Sequence, residues 1–216
     1  LIRLVEYINE LPIIQIVIDF VEADDVIAYG ARHPFYSGWD KIIVSSDKDF
    51  FQLCDDHTSV YRPIQNKIVT KQTILDEFRI HPNNFALARA IAGDSSDNLP
   101  GVSGVGLKTV AKRFPFLLNE EESSCQEIVT NCAMQGKRLK LHENIIKSAE
   151  LVKNNYRIMQ LYNPNIRPLN RDIINNIIIK FEPEFSKLNF TKMLFADDVS
   201  YLNFEELNII LKKIER

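Results

Sequence analysis

The hydrophobic positions of this chain change their spacing along its length. Two continuous apolar runs rich in β-branched residues, "IIQIVI" (13–18) and "KIIVSS" (41–46), predict buried strands of a parallel sheet. The segments "SVYRP" and "KIVT", separated by "IQN", predict short strands or a hairpin. Helical spacing predicts helices at 1–11, 22–32, 71–79, 83–92, 105–114, most of 121–161, 171–181 and 201–214, and "DKDFFQL" predicts a short helix.

The order of these elements indicates a fold class. Strand, helix, strand and helix come first and helices fill the rest, so the pattern predicts an α/β core followed by a helical domain. A length of 216 residues suits one core with a smaller appendage. Because an amphipathic helix pattern begins at Leu1 itself, we expect the chain to start in the middle of a fold.

Composition narrows the function classes only slightly. The apolar content of 45% and charged content of 25% are those of an ordinary globular protein. No apolar run approaches the roughly 20 residues of a membrane span, so we expect no membrane association. The three cysteines form no C-x-x-C pair and the four histidines are scattered, which argues for reduced intracellular thiols and against a zinc site.

Charge is distributed unevenly, although the net charge is only −3. Acids crowd between residues 19 and 56, whereas 99–118 contain no acid. Residues 135–160 carry six basic residues against two acids. An acidic half followed by a basic half suits a nucleic-acid partner, although two solvated faces would give the same pattern.

Carboxylates follow both predicted strands of the parallel sheet. Because ligands of such sheets collect at the carboxyl ends of the strands, we expect these acids on one edge, with two later acids folding back over it. Two carboxylates about 5 Å apart repel by roughly 3 kcal/mol, so the group needs protons or cations. Oxygen ligands favour Mg²⁺ or Mn²⁺, and paired ions suit phosphodiester hydrolysis. The alternative is that each acid only caps a helix. The acids are Glu22, Asp24, Asp25, Asp47, Asp49, Asp94 and Asp97.

A glycine-punctuated turn, "LPGVSGVGLKTVAKRF" (99–114), follows the last two acids. Glycines let a backbone approach a partner closely, and the helix after the turn presents amide hydrogens to an anion. Lys108 opposes the helix dipole in the first turn, which makes sense if it reaches for phosphate, and Lys112 lies one turn further on. The turn does not match a P-loop, and a plain tight turn between helices is the alternative.

Three segments together resemble the 5′-nuclease family: "VEADDVIAYGAR", "IIVSSDKDFFQL" and "AIAGDSSDNLPGVSGVGLKTVAKRF". The family comprises flap endonucleases, the 5′-nuclease domain of bacterial DNA polymerase I, and tailed-phage 5′–3′ exonucleases and ribonucleases H. The resemblance implies an α/β fold, with the carboxyl-terminal part of a parallel-sheet (PIN-like) metal-binding core at 1–80. It also implies a helical domain at 81–216, with a helix-three-turn-helix DNA-binding motif at about 83–114.

The resemblance also assigns roles by motif. It implies that Glu22 and Asp24 bind a first Mg²⁺ or Mn²⁺ ion, and that Asp47, Asp49 and Asp97 bind a second. Asp25 and Asp94 are secondary ligand candidates, acting directly or through water. A K⁺ ion at the hairpin and phosphate contacts are implied as well. The nucleic-acid-binding residues would be Gly101, Ser103, Gly104, Val105, Gly106, Lys108, Thr109 and Lys112.

The function that the resemblance implies is a metal-dependent 5′–3′ exonuclease or flap endonuclease. It would act on duplex or branched DNA or on RNA–DNA hybrids, removing flaps or RNA primers in replication or repair. We expect a monomer in the cytoplasm of a bacterium or a phage-infected host, with single-strand-binding protein or polymerase as partners.

One departure from the family pattern affects the expected activity. The family fold begins with another strand that carries an essential aspartate, followed by a helical arch, and neither precedes the "EADD" motif here. We therefore expect the chain alone to be weak or inactive, which a Mg²⁺-dependent flap-cleavage assay tests. Two alternatives stay open. One is a non-catalytic module that binds branched DNA, and the other is an RNase of the wider four-acid class, against which the glycine turn counts.

Overall fold

The computed structural model describes residues 2–135, 139–199, 202–203, 205–207 and 209–210. The chain packs as two compact units, Leu1–Val21 with Ile166–Arg216, and Glu22–Asn165. The predicted boundary at residue 80 falls inside the second unit. In the described part of the chain, no helix is both long and apolar enough to cross a bilayer.

The described residues form helices, strands and 3₁₀ helices. The helices are α1 (Ile2–Asn9), α2 (Ala23–Ala31), α3 (Lys71–Phe78), α4 (Pro82–Ala92), α5 (Leu107–Arg113), α6 (Cys125–Met134), α7 (Lys140–Lys147), α8 (Ala149–Met159), α9 (Pro168–Lys180) and α10 (Lys187–Ala196). The strands are β1 (Lys41–Val44), β2 (Thr58–Arg62) and β3 (Lys67–Val69), and the 3₁₀ helices are Pro34–Tyr36, Asp49–Leu53 and Pro115–Leu118.

The sheet of the second unit has the strand order β1-β2-β3. β1 runs parallel to β2, with Ile43 opposite Val60, and β3 runs antiparallel to β2, with Val69 opposite Val60. These three β-branched residues are at most 8% exposed, so they form a continuous buried row across one face of the sheet. The antiparallel β2–β3 pair confirms the predicted hairpin.

Helix α4 lies at the centre of the second unit. Nine of its eleven residues are buried, and they include the polar side chains of Asn84 and Arg89. Phe85 is fully buried and lies 5.5 Å from Phe51 of the 3₁₀ helix that follows β1, measured between ring centroids. The end of β1 and the end of α4 are therefore held in one core, which places the acid-bearing segments that follow them.

The first unit is built from α1, α9 and α10. Asp197, at the end of α10, accepts from Arg3 Nε at 2.6 Å and from the Tyr7 hydroxyl at 2.6 Å. Tyr7 also packs edge-on against Phe190, with 5.7 Å between ring centroids. These contacts join α1 to α10 despite their separation in sequence.

Two sequence predictions fail in the first unit. The strand predicted at 13–18 is wrong: in the described structure this segment pairs with no strand, and Val17 is 85% exposed. β-branched composition favours a strand only where a neighbour supplies backbone hydrogen bonds, and β1 pairs with β2 instead. Helix α10 was not predicted, because only Phe190 and Leu194 are buried and its apolar spacing is weak.

Two further expectations can be compared with the structure only in part or not at all. Half of the helix predicted at 201–214 lies outside the described residues, and 205–207 and 209–210 are helical. Lys137 and Arg138 of the basic segment also lie outside the described residues. The predicted mixed α/β class with a helical part is confirmed.

Candidate metal and nucleic-acid site

Three predicted metal ligands meet in the second unit. Asp49 lies in the 3₁₀ helix after β1, and Asp94 and Asp97 lie in the loop after α4. One carboxylate oxygen from each of the three lies within 4.8 Å of the others. Acids more than 40 positions apart in the sequence therefore converge, as the sequence predicted for Asp49 and Asp97.

The loop that carries Asp94 and Asp97 is closed on itself. The backbone amides and carbonyls of Asp94 and Leu99 exchange two hydrogen bonds of 2.8 Å. Gly93 has φ +80°, and a Cβ there would lie 2.2 Å from the nitrogen of Gly101. A Cβ on Gly101 would lie 2.0 Å from the carbonyl oxygen of Ala92. Only glycine fits at both positions, because the two backbones touch.

A buried arginine, Arg89 of α4, joins two of the acids. Its Nε lies 2.8 Å from Asp49 Oδ1, and its Nη2 donates a short hydrogen bond to Asp94 Oδ2. The side chains of Arg89, Asp49 and Asp94 are 9%, 14% and 11% exposed. Arg89 thus supplies one positive charge to a group of carboxylates that would otherwise repel one another.

Arg89 and Asp49 form a close ion pair, but their atoms are not aligned for a hydrogen bond. Within the described structure, Asp49 Oδ1 and Arg89 Nε are both buried and neither makes a hydrogen bond, although they form an ion pair. A buried carboxylate oxygen without a hydrogen bond is costly. A bound divalent cation would satisfy this oxygen, so the site fits the metal that the sequence implied.

The acids are close enough to change one another's protonation. Burial raises the pKa of Asp49 to about 6, Arg89 opposes this, and the negative charges of Asp47, Asp94 and Asp97 add to it. Burial also raises the pKa of Asp94, but the hydrogen bonds from Ser96 and the charge of Arg89 outweigh it, and the pKa is lowered.

The acids of α2 belong to the same electrostatic group. Burial raises the pKa of Asp24, and then the charges of Asp47, Glu22, Asp25 and Asp97 raise it further. In the described structure Glu22 occupies the N-cap position of α2 without a side-chain capping hydrogen bond. A capping role therefore does not account for the Glu22 carboxylate.

Asp25 and Asp47 have local partners as well. Asp25 Oδ1 accepts from the amide of Asn165 at 3.1 Å, and Asp47 Oδ1 accepts from the amide of Asp49 at 2.8 Å. The bond to Asp47 closes an Asx turn just before the 3₁₀ helix, whose N-cap position is occupied by Lys48. Asp47 is exposed, so its carboxylate remains accessible to a ligand.

The glycine turn begins directly after the acidic loop. Val102 donates its amide to the carbonyl of Ile91 at 2.8 Å, and the Val105 amide donates to the Val102 carbonyl at 3.0 Å. Both valine side chains are at most 4% exposed, so they anchor the turn in the core. The backbone between and after them is exposed at Ser103, Gly104 and Gly106, and Gly104 has φ +76°.

Basic side chains lie beside this turn. Lys108 and Lys112 are exposed on α5, and Thr109 is half-buried between them. Both lysines line a groove of about 480 Å³ together with Arg79, at the end of α3. Glu77 also lines the groove and pairs with Lys67 at 3.0 Å. The positive groups therefore form a surface that suits an anionic backbone.

The sequence reasoning missed both arginines. Arg89 could have been found, because it is the one charged residue of the mostly apolar helix "PNNFALARAIA", and a buried guanidinium needs a carboxylate partner. Arg79 gave no comparable signal. Its position depends on a left-handed turn at the end of α3, where it has φ 57°.

Comparison with known proteins supports the relationship inferred from the motifs. Residues 2–79 match the family model described as the 5′-3′ exonuclease, N-terminal resolvase-like domain. The resemblance to the 5′-nuclease family that the motifs indicated is thereby confirmed over these residues. The 5′-nuclease relatives include a 5′-3′ exonuclease of Buchnera aphidicola subsp. Schizaphis graminum, 37% identical over 119 residues, which are 54% of this chain and 42% of that protein. The thermostable DNA polymerase I of Thermus aquaticus is 34% identical over 126 residues, which are 58% of this chain and 14% of the polymerase. The chain thus spans less than half the length of either relative.

Solved structures of 5′-nucleases show the same fold. A mutant of T5 5′-exonuclease superposes with a TM-score of 0.58 at 23% identity, covering 84% of this chain and 68% of that one. A zinc-bound form of the T5 enzyme gives a TM-score of 0.58 at 22% identity, covering 84% and 60%. The bacteriophage T5 flap endonuclease in a complex with DNA and metal ions also has a TM-score of 0.58, at 21% identity, with coverages of 84% and 60%.

Proposed function

We propose that this chain provides the metal-binding and duplex-binding parts of a 5′–3′ exonuclease or flap endonuclease. The observation that carries the proposal is the convergence of Asp49, Asp94 and Asp97, one carboxylate oxygen of each lying within 4.8 Å of the others. In addition, Asp49 Oδ1 is buried without a hydrogen bond. The glycine turn follows this cluster without a break in the chain, which suits an enzyme that holds a duplex beside the phosphodiester it cuts.

The metal would be a pair of divalent ions, Mg²⁺ or Mn²⁺. In this proposal Glu22 and Asp24 hold one ion and Asp47, Asp49 and Asp97 hold the other, with Asp25 and Asp94 as secondary ligands. All-oxygen ligand sets favour these hard cations. When bound, such a pair supplies an activated water and stabilisation of the leaving oxygen.

The residues of the chain itself then have separate tasks. Asp49 must be ionised to act as a ligand, and its raised pKa makes this dependent on pH. Arg89 neutralises part of the charge of the Asp49 and Asp94 carboxylates when no metal ion is bound. The closed loop between Gly93 and Gly101 holds Asp94 and Asp97 at a fixed distance from α4.

The nucleic-acid interface would combine backbone and side-chain contacts. The glycine turn would contact the nucleic acid through its main chain at Gly101, Ser103, Gly104, Val105 and Gly106. Val105 can contribute only its main chain, because its side chain is buried. A K⁺ ion would be held by carbonyl groups of the same turn. The phosphates would be contacted by the side chains of Lys108, Thr109 and Lys112. We propose Arg79 as a further phosphate contact, because it lines the same groove as the two lysines. Such contacts give affinity without reading sequence.

The relatives suggest the wider setting of this activity. We propose duplex or branched DNA or RNA–DNA hybrids as substrates, in replication or repair, and a monomer that acts in the cytoplasm of a bacterium or phage-infected host. Single-strand-binding protein or a polymerase would be partners. In this proposal residues 1–80 are part of the nuclease core, and 81–216 form the helical domain with a helix-three-turn-helix at about 83–114.

A second candidate is a module that binds branched DNA without cutting it. Arg89 favours this candidate, because it already balances Asp49 and Asp94 without a metal. The two candidates differ in whether the acids are needed for binding a divalent ion or only for the fold.

The discriminating experiment measures Mn²⁺ binding by electron paramagnetic resonance together with binding and cleavage of a labelled 5′-flap duplex. The nuclease proposal expects Mn²⁺ binding by the wild type that is weakened in Asp47→Ala with flap binding retained, and at most weak Mn²⁺-dependent cleavage by this chain alone, which Asp47→Ala lowers further. Asp172→Ala, which changes an exposed acid of α9, serves as the matched control and keeps wild-type behaviour. Flap binding without Mn²⁺ binding by the wild type would favour the non-catalytic module.

A further inference from the structure

One buried side chain, Asn155 of α8, holds the acidic loop from behind. It is 2% exposed, and its Nδ2 donates to the carbonyl of Ala90 at 3.0 Å and to the carbonyl of Pro100 at 2.9 Å. Ala90 precedes the loop that carries Asp94 and Asp97, and Pro100 closes it. Asn155 therefore fixes both ends of this loop with the two hydrogens of one amide.

The position of Asn155 follows from the way α4 ends. The last carbonyls of a helix have no intrahelical partner and need other donors. The amide of Asp94 would continue the helix to Ala90, but it donates to Leu99 at 2.8 Å because the loop closes. Asn155 supplies the missing donor for Ala90, so the closed loop and the clamp depend on each other.

A second buried amide, Gln52, connects the other acidic segment to the same helix. Gln52 is 6% exposed and belongs to the 3₁₀ helix that carries Asp49. Its Nε2 donates to the carbonyls of Asp49 at 2.8 Å and Met159 at 2.9 Å, and its Oε1 accepts from the amide of Leu161 at 2.7 Å. The backbone of Asp49 is thus tied to the end of α8.

The segment after α8 reaches the third acidic element, helix α2. Asn165 donates its amide to Asp25 Oδ1 at 3.1 Å, and Arg32 Nη1 donates to the carbonyl of Leu161 at 2.9 Å. Residues 149–165, here called the α8 strap, therefore contact all three elements that carry the predicted metal ligands. All of these contacts lie within the second unit.

We propose that the α8 strap is the positioning element of the metal site, with Asn155 and Gln52 as positioning residues. The inference rests on the proposed function, since it assigns the strap a role towards the metal ligands. Carboxylates from three separate segments repel one another, so a rigid element must hold them at ligand distance. Buried amides that satisfy otherwise unpaired carbonyls do this without adding charge.

The chain offers a matched control in Asn84, at the other end of α4. Asn84 is fully buried, and its Nδ2 donates to the carbonyls of Leu117, Asn119 and Glu121. Its Oδ1 accepts from the amide of Ser123 at 2.8 Å. Asn84 therefore makes the same kind of buried clamp as Asn155, but it holds a loop that contains no predicted metal ligand.

The experiment titrates Mn²⁺ alone into the folded wild type, Asn155→Leu, Gln52→Met and Asn84→Leu, and follows the free ion by electron paramagnetic resonance. Each substitution keeps the side-chain size and removes the amide. Circular dichroism selects a temperature at which each measured variant is folded. We expect Asn155→Leu and Gln52→Met to weaken Mn²⁺ binding by about 10- to 100-fold, as loss of outer-shell partners does, and Asn84→Leu to keep wild-type affinity despite a lower Tm.

The outcomes separate the inference from the proposed function. If one positioning variant does not fold, the other still decides. Wild-type Mn²⁺ affinity in the folded positioning variants overturns the inference and leaves the metal site intact. Equal weakening in Asn84→Leu also overturns it, because the effect is then general destabilisation. A wild type that binds no Mn²⁺ overturns the metal function and the inference with it.

Discussion

Arg89 Nε lies 2.8 Å from Asp49 Oδ1 in the centre of the acidic cluster. The pair links α4 to the 3₁₀ helix after β1, and the same guanidinium also binds Asp94. The buried guanidinium of Arg89 thus connects two segments that are distant in sequence and that both carry candidate metal ligands. We therefore expect the charge of Arg89 to contribute more to the stability of the metal-free protein than to that of the metal-bound protein.

Removal of the Arg89 charge tests this. Arg89→Met leaves two buried carboxylates without their partner, which typically costs about 3–5 kcal/mol. We expect the free energy of unfolding in EDTA to fall by that order, as measured by urea denaturation. Because a divalent ion can replace the lost charge, we expect added Mn²⁺ to raise the Tm of the variant more than that of the wild type.

Arg79→Met is the control for Arg89→Met. Arg79 is exposed at the end of α3, so its loss should change stability by about 0.5 kcal/mol at most. Equal stability of the Arg89 and Arg79 variants would show that the buried ion pair contributes nothing to the metal-free fold.

The raised pKa of Asp49 predicts a pH dependence with a definite sign. A carboxyl whose pKa is about 6 when folded, against an ordinary value of 3.8, favours folding while protonated, and that contribution is lost as pH rises from about 4 through 6. The full loss corresponds to roughly 3 kcal/mol at most. We therefore expect the metal-free wild type to lose stability relative to Asp49→Asn across this pH range, as measured by urea denaturation at pH 4 and pH 7.5.

Metal affinity should have the opposite pH dependence, because a cation requires the ionised carboxylate. Mn²⁺ binding by the wild type should strengthen as pH rises through about 6. A stability difference between wild type and Asp49→Asn that is constant with pH would contradict the assigned pKa.

The sequence predicted much of the site but little of what supports it. The rule that acids collect at the carboxyl ends of parallel strands placed Asp49 at the sheet edge, and the expected fold-back of the later acids, together with the family resemblance, added Asp97. The strand predicted at 13–18 failed because apolar β-branched content cannot show whether a pairing neighbour exists. Asn155 and Gln52 could not be found, because a buried amide that serves distant carbonyls leaves no periodic pattern in the sequence.

The contact between Gly93 and Gly101 predicts that neither position accepts a side chain. A Cβ at Gly93 would meet the Gly101 backbone, and φ +80° is itself unfavourable for alanine. We expect Gly93→Ala and Gly101→Ala each to lower the free energy of unfolding by at least about 2 kcal/mol and to weaken Mn²⁺ binding. Urea denaturation and Mn²⁺ titration measure the two effects.

Gly30 of α2 is the matched glycine. A Cβ there would meet nothing within 4 Å, and the residue is helical. Gly30→Ala should therefore stabilise the protein by up to about 1 kcal/mol. If Gly93→Ala were as well tolerated as Gly30→Ala, the closed acidic loop would not exist in solution.

The groove beside α5 predicts a salt dependence of duplex binding. Each phosphate contact that is lost lowers the slope of log affinity against log salt by about 0.9. We expect Lys108→Gln, Lys112→Gln and Arg79→Gln each to weaken binding of a flap duplex and to reduce this slope by about one contact. Fluorescence anisotropy in EDTA measures binding without cleavage. Lys180→Gln, an exposed lysine of α9, should leave affinity and slope unchanged. Weakening by Lys180→Gln equal to that of the three groove variants would mean that the protein binds through its overall charge, and the groove would have no specific role.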